Sequence, residues 1–184
     1  MVPAPAPAPR LRLAKPGDVP ELQALMSSSI AGIFPAFYDA RQTQSAVEHI
    51  GRPDPMLIED GTYFALEADG EIVACGGWSR RGRAYVGSAP APGDDRFLDP
   101  ATEAAHVRAM FVRPDWTRRG LGRRIMDACE SAAREAGFTR LALVATLPGV
   151  ALYTACGYTP DGEIRDIVLA DGVRLPCLEM SKQA

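Results

Sequence analysis

Arg118-Arg119-Gly120-Leu121-Gly122-Arg123 places two glycines among arginines at the start of a helical pattern, and Arg124 follows directly. Residues without side chains at a first helical turn leave its unpaired backbone N–H groups open. The helix dipole adds partial positive charge at that end, and four arginines add full charges, so the matching guest is a phosphate or diphosphate. A dinucleotide fold would need G-x-G-x-x-G, and a P-loop would need G-x-x-x-x-G-K-S/T. The third glycine and the lysine are both missing. Taken alone, the glycine pair fits tight helix packing as well as it fits anion binding. The arginines tilt the reading towards an anion.

The elements on either side must hold that turn. Val107 to Val112 alternates, with Val107, Ala109 and Phe111 on one face and Arg108, Met110 and Val112 on the other, which predicts a strand. Arg113-Pro114-Asp115 ends it, since proline cannot donate to a ladder. A helix is predicted from Arg119 or Gly120 to Ala136, with Leu121, Ile125, Ala128, Cys129, Ala132 and Ala136 as its apolar stripe. Arg123, Asp127, Glu130 and Arg134 fall on its wet side, and Gly137 suits a left-handed C-cap. Leu141 to Ala145 is an unbroken apolar run, as in a strand covered on both faces. Strand, helix and strand make a right-handed crossover.

With Leu152-Tyr153-Thr154-Ala155-Cys156-Gly157-Tyr158 following the second strand, the stretch from His106 to Tyr158 resembles the acyl-CoA-binding core of the GCN5-related N-acetyltransferases, the GNAT superfamily. That family carries a Q/R-x-x-G-x-G/A turn after its fourth strand and an L-Y-x-x-x-G-F/Y segment further on. There are two departures. Thr117 stands where the family has Gln or Arg, and Thr146 stands where an Asn often begins the last motif.

The resemblance implies a single α/β domain over residues 10–184: a mixed sheet of about seven strands, flanked by helices and splayed between its two central parallel strands. It implies an acetyl-CoA-dependent N-acetyltransferase that uses direct attack by a primary amine. Thr117, Arg118, Arg119, Gly120, Leu121, Gly122 and Arg123, together with Thr146, would hold the coenzyme. The Met110, Phe111 and Val112 backbone would pair with its pantetheine arm and donate to the oxyanion. Tyr153 would be the general acid, since a phenol can protonate a thiolate whose thiol titrates near about 8.5. Glu103 and His106, at the entrance of the central strand, are the titratable residues nearest to hand for a general base, and in several members of the family ordered water serves instead. The rival on the same fold is a non-catalytic acyl-CoA sensor. A less related rival is a nucleotide-binding α/β protein. The acceptor would be a small-molecule amine or a peptide amine, and dimers are common in the family, so a homodimer is an assembly to test.

The 184 residues suit one domain with a real core. A net charge of −3 argues against nucleic-acid binding, which needs a strongly basic face. No apolar run approaches the roughly 20 residues of a membrane span. Cys75, Cys129, Cys156 and Cys177 lie far apart with only two histidines in the chain, which suggests neither a metal site nor disulfides. Buried thiols in a reducing cytoplasm are the reading that follows. Residues 1–9 are a Pro/Ala repeat, expected to be an extended, disordered tail without the features of a secretion signal.

Earlier in the chain, Arg10 to Leu13 reads as a strand, and Asp18 reads as the cap of a helix running through Ile30. A second helical stretch is expected between Pro35 and Ile50. Phe34, Phe37 and Tyr38 join the two, either capping the core or lining an acceptor wall. Asp69-Gly70 and Asp171-Gly172 mark two hairpins, 62–68 with 71–78 and 164–169 with 173–180. Gly76-Gly77 within a strand suggests a bulge or a close approach, and Trp78 beside it suggests core. Residues 80–101 form a long polar loop that runs into the central strand and hangs over the site.

Overall fold

The computed structural model describes residues 8–85, 87 and 89–184. Most of the Pro/Ala tail therefore lies outside the described residues. Eight strands form one sheet in which β1 (Arg10–Leu13), β2 (Tyr63–Ala68), β3 (Glu71–Ser79) and β4 (Ala105–Val112) run antiparallel in chain order. Strand β5 (Arg140–Thr146) lies parallel to β4. On its far side comes β8 (Arg174–Gln183), antiparallel to β5 and paired with β6 (Thr159–Pro160) and β7 (Arg165–Val168). This is the mixed sheet that the sequence predicts, the eighth strand being the two-residue β6. Among the described residues, no helix is long and apolar enough to cross a membrane.

Helices cover both faces. On one, α4 (Leu121–Glu135) buries Leu121, Ile125, Met126, Cys129 and Ala133 against β2, β3 and β4. Burying a side chain the size of Ile125 or Met126 stabilises the fold by about 1.5–3 kcal/mol. On the other face, α1 (Val19–Ile33) and α2 (Ala40–His49) enclose a second cluster with Leu22, Met26, Ile30, Ala46, Tyr63 and Leu175. The apolar stripe of α4 is rotated from the predicted one: Ala136 is exposed, whereas Glu130, expected on the wet side, is buried. Lys182 Nζ of β8 donates to Glu130 Oε2 at 2.7 Å, and a buried carboxylate is tolerable when a cation meets it.

Asp18 precedes α1 as expected, yet its side chain does not cap it. Pro20 has no N–H to offer at the second helical position. The Asp18 carboxylate instead accepts from Lys15 N and from Arg12. The second helical stretch is a single turn at Phe34–Ala36 followed by α2, which Asp39 caps. Two short helices escape the periodicity reading, α3 (Pro55–Glu59) and α5 (Val150–Ala155). Each is under two turns long, too short for a helical period to show.

Candidate active site

The site begins with a failure of pairing. Strands β4 and β5 pair only at Ala105 with Leu141 and at His106 with Ala142. Beyond those rungs they part, and a cavity of about 660 Å³ opens between them. A bulge in β4 shapes its wall. Cys75 pairs with Phe111 and Gly77 with Arg108, so Gly76 faces both Ala109 and Met110, and Ala109 takes a left-handed φ of 56°. A side chain at position 76 could not fit, because its Cβ would sit 2.1 Å from Met110 Sδ. Tyr63 Oη donates to Ala109 O at 3.0 Å, which holds the bulge.

The bulge also breaks the predicted alternation. Val107 packs in the α4-side cluster with Met110 and Val112, whereas Ala109 and Phe111 join the α1-side cluster. One extra residue switches the faces of everything beyond it. Arg113 N–H donates to Val73 O at 2.9 Å, so antiparallel alternation turns the Val112 amide away from β3 and towards the gap.

One end of the cavity is the arginine-rich turn. Gly120 occupies the N-cap of α4 with φ 77°, no side chain caps this helix, and a Cβ on Gly120 would meet nothing within 4 Å. Gly122 differs, since its Cβ would lie 2.8 Å from Leu152 Cδ2 of α5. The two readings of the glycine pair thus divide between them: Gly120 leaves the helix end open, and Gly122 lets α5 seat against it. Thr117, Arg118, Gly120, Leu121, Gly122 and Arg123 all line the cavity. Thr117 Oγ1 donates to Pro114 O at 3.0 Å, and Arg123 Nη2 donates to Ala155 O at 2.5 Å, tying α4 to α5. Arg119 does not line the cavity. It stacks on Trp116, 4.6 Å from the ring centroid, while Arg124 turns away to Pro9 O.

Tyr153, on α5, stands at the wall of the cavity. Gly149 gives its ring room, since a Cβ there would be 2.7 Å from the Cε2 atom. The Tyr158 ring meets it edge-on at 6.2 Å. Burial, with the Cys129 and Cys156 thiols behind it, pushes the Tyr153 phenol well above its ordinary pKa, so the hydroxyl keeps its proton at any working pH.

A family model described as the acetyltransferase (GNAT) family matches residues 29–158. The chain belongs to the GNAT acetyltransferase family. No curated protein sequence matches it. Solved structures share the fold at low identity. A GCN5-related N-acetyltransferase from Rhodopseudomonas palustris superposes with a TM-score of 0.71 at 20% identity, covering 100% of this chain and 99% of that one. The PaiA N-acetyltransferase from Thermoplasma acidophilum, in complex with coenzyme A, gives 0.65 at 10% identity over 97% and 100%. The yncA protein from Salmonella typhimurium, with its cofactor acetyl-CoA, gives 0.62 at 16% identity over 96% and 94%.

Against this GNAT frame, the cavity draws together Met110, Phe111, Val112, Thr146 and Tyr153 with the turn residues. Glu103 and His106 lie outside its lining. They sit before β4 and at the paired end of β4, on the closed side of the splay. Arg96 clamps Glu103 and holds its carboxyl down to about 2. Burial, then the Arg108 charge, lowers the His106 pKa.

The far end of the cavity is apolar. Ile33, Phe34, Phe37, Ile50, Val144 and Ile167 line it. Of the three joining aromatics, Phe34 and Phe37 face the cavity, while Tyr38 is a bolt whose hydroxyl donates to Pro176 O and accepts from Leu147 N, both at 2.8 Å. The loop after β3 folds back on itself through Gly82 N to Arg96 O and Arg83 N to Asp94 O, then brings Ala84 and Tyr85 over the cavity. Gly87 O accepts from Ala170 N at 2.8 Å, anchoring the strap to the β7–β8 turn. Trp78 is core, edge-on to Phe138. All four cysteines are free and buried. Burial raises the Cys156 pKa, which makes it a poor nucleophile.

Sequence reasoning missed Ser29, Ile33, Ile50, Arg108, Ala109, Val144, Ile167 and Cys177 as wall residues. No local signal could have found them, since five elements and the residue after α2 supply them and only the fold brings them together. Arg108 alone carried a hint, as an arginine placed on a face of an otherwise apolar central strand.

Proposed function

We propose that the protein transfers an acetyl group from acetyl-CoA to a primary amine by direct attack. The observation that carries this reading is the continuity of the cavity: one space is lined by an open, positively charged helix end, a phenol and an apolar chamber. The Gly120–Arg123 amides with Arg118 and Arg123 hold the diphosphate. The pantetheine arm lies along the unpaired edge of β4, where the Val112 amide faces the gap and a strand edge can accept an extended partner.

The amine nitrogen bonds to the thioester carbonyl carbon, and backbone N–H groups at the β4 bulge stabilise the oxyanion. Collapse breaks the C–S bond; Tyr153 gives its hydroxyl proton to the departing thiolate, and the proton that the newly bonded, cationic nitrogen releases passes through water and restores the phenol. Among the described residues that line the cavity there is no carboxylate and no histidine. The ammonium therefore sheds its proton to water before or during entry, a transfer that an apolar chamber favours because burial disfavours the charged form. Glu103 and His106 have no part in that step.

The test is acetyl-CoA-dependent thiol release with a panel of amines. Turnover with at least one amine, with kcat/KM rising as pH approaches the amine's own pKa, supports the reading. Binding of acetyl-CoA without turnover of any amine would favour the sensor instead.

A further inference from the structure

We infer that the acceptor is a primary monoamine with an uncharged apolar body, an arylalkylamine or a branched alkylamine, carrying neither a carboxylate nor a second ammonium. The inference rests on the acetyl-transfer reading and concerns the chamber walled by Ile33, Phe34, Phe37, Ile50, Val144 and Ile167. Those six side chains bring no hydrogen-bonding group, so a body that packs on them is itself apolar. Phe34 and Phe37 add ring faces and edges for an aromatic guest.

Charge decides the rest. Among the described residues that line the cavity, the charged ones are Arg108, Arg118 and Arg123, and none is acidic. Arg118 and Arg123 belong to the turn that opens α4, where the coenzyme diphosphate takes them up. Arg108 is spent within the protein: it pairs with Asp54, its Nη1 donates to Arg83 O at 3.0 Å, and its side chain is only 3% exposed. A guest carboxylate in the chamber therefore finds no available cation, and a second ammonium finds no anion. Either charge would exchange water for an apolar wall without a partner, at a large desolvation cost. A monoamine avoids that cost, since its one nitrogen enters neutral and becomes an uncharged amide.

A neighbouring recess of about 140 Å³ marks where this neutrality stops. Tyr85, Val144, Ile167 and Cys177 line both spaces, and the recess adds Arg165, Asp166 and Glu179. Glu179 lies opposite Val144 in the β5–β8 register, and Arg165 lies opposite Cys177 in the β7–β8 register. All three charged residues are exposed, and they carry both signs. Water solvates them and salt screens them, so they add little for a guest held in the chamber. A long polyamine is the guest they would favour, and the test includes one.

The experiment measures kcat/KM, on the concentration of free amine, for three sets of acceptors. Phenethylamine and isoamylamine are the apolar monoamines, phenylalanine and leucine add a carboxylate to the same bodies, and cadaverine and spermidine add ammonium groups. Each monoamine is expected to exceed its amino acid, and both polyamines, by at least about 10-fold. Phe37→Glu then sets a carboxylate in the chamber wall at a position that is already half-exposed. It should raise kcat/KM for cadaverine and lower it for phenethylamine, moving their ratio by about 10- to 100-fold, while titration shows CoA affinity unchanged and the variant folded. An amino acid equal to its monoamine, a polyamine as the best acceptor, or a ratio that Phe37→Glu leaves unmoved would overturn the inference. No turnover of any amine by unaltered protein that binds acetyl-CoA would instead break the acetyl-transfer reading itself.

Discussion

The two ends of the cavity are built in opposite ways. The end at Gly120 is made largely of backbone from one contiguous turn, helped by nearby arginines, and it offers charge to a charged guest. The end at Phe37 is made of side chains from α1, the α1–α2 turn, β5, β7 and the strap, and it offers almost none. A site formed by backbone amides needs particular conformations at particular positions, so it leaves a local mark in sequence. A site formed by side chains needs only shape, and many residue sets supply the same shape. The difference predicts that coenzyme affinity and acceptor affinity can be broken separately.

Tyr153→Phe should have the largest effect, because it removes the hydroxyl proposed to protonate the departing thiolate. The expected loss is about 100- to 10,000-fold in kcat with CoA affinity retained, read by steady-state kinetics beside calorimetry. Next comes Gly122→Val, which drives a side chain into Leu152 and unseats α5 from the helix end. Overpacking of this kind typically costs about 1–3 kcal/mol, so CoA should bind roughly 10- to 100-fold more weakly while thermal unfolding still shows a folded protein. On the acceptor side, Phe37→Ala should raise acceptor KM by about 5-fold and leave the CoA dissociation constant alone, since half of that ring is already exposed. Glu103→Gln should do least. With its carboxyl held near 2 by Arg96 it is ionised throughout the working range, so kcat should change less than about 2-fold and the alkaline rise of the pH profile should persist. A flattened profile in that variant would restore Glu103 as a base and erase part of the contrast.

The same contrast explains what the sequence revealed. The order of strands, both Asp-Gly hairpins, α4 and the open turn were legible because each is written in neighbouring residues. The β4 bulge was half legible. Gly76-Gly77 announced an irregularity, but the face change at Ala109 depends on Met110 Sδ filling the space over Gly76 from the opposite strand. Glu130 could not be read as buried, because its partner Lys182 comes from the last strand. The Glu103 and His106 assignment rested on nearness to the central strand in sequence. The splay opens at the other end of that strand, and pairing at Ala105 and His106 is what closes this one. Arg108 and Asp54, fifty-four positions apart, were beyond any local reading.

The central claim is that the open amides of α4 grip a coenzyme diphosphate. Isothermal titration of CoA into the unaltered protein and into Gly120→Ala measures it most directly. A side chain there is forced into a left-handed conformation that costs about 1–2 kcal/mol, although it meets no neighbour. The account predicts saturable binding to the unaltered protein and roughly 5- to 30-fold weaker binding to the variant. No saturation at millimolar CoA, or equal affinity in the two proteins, would contradict it.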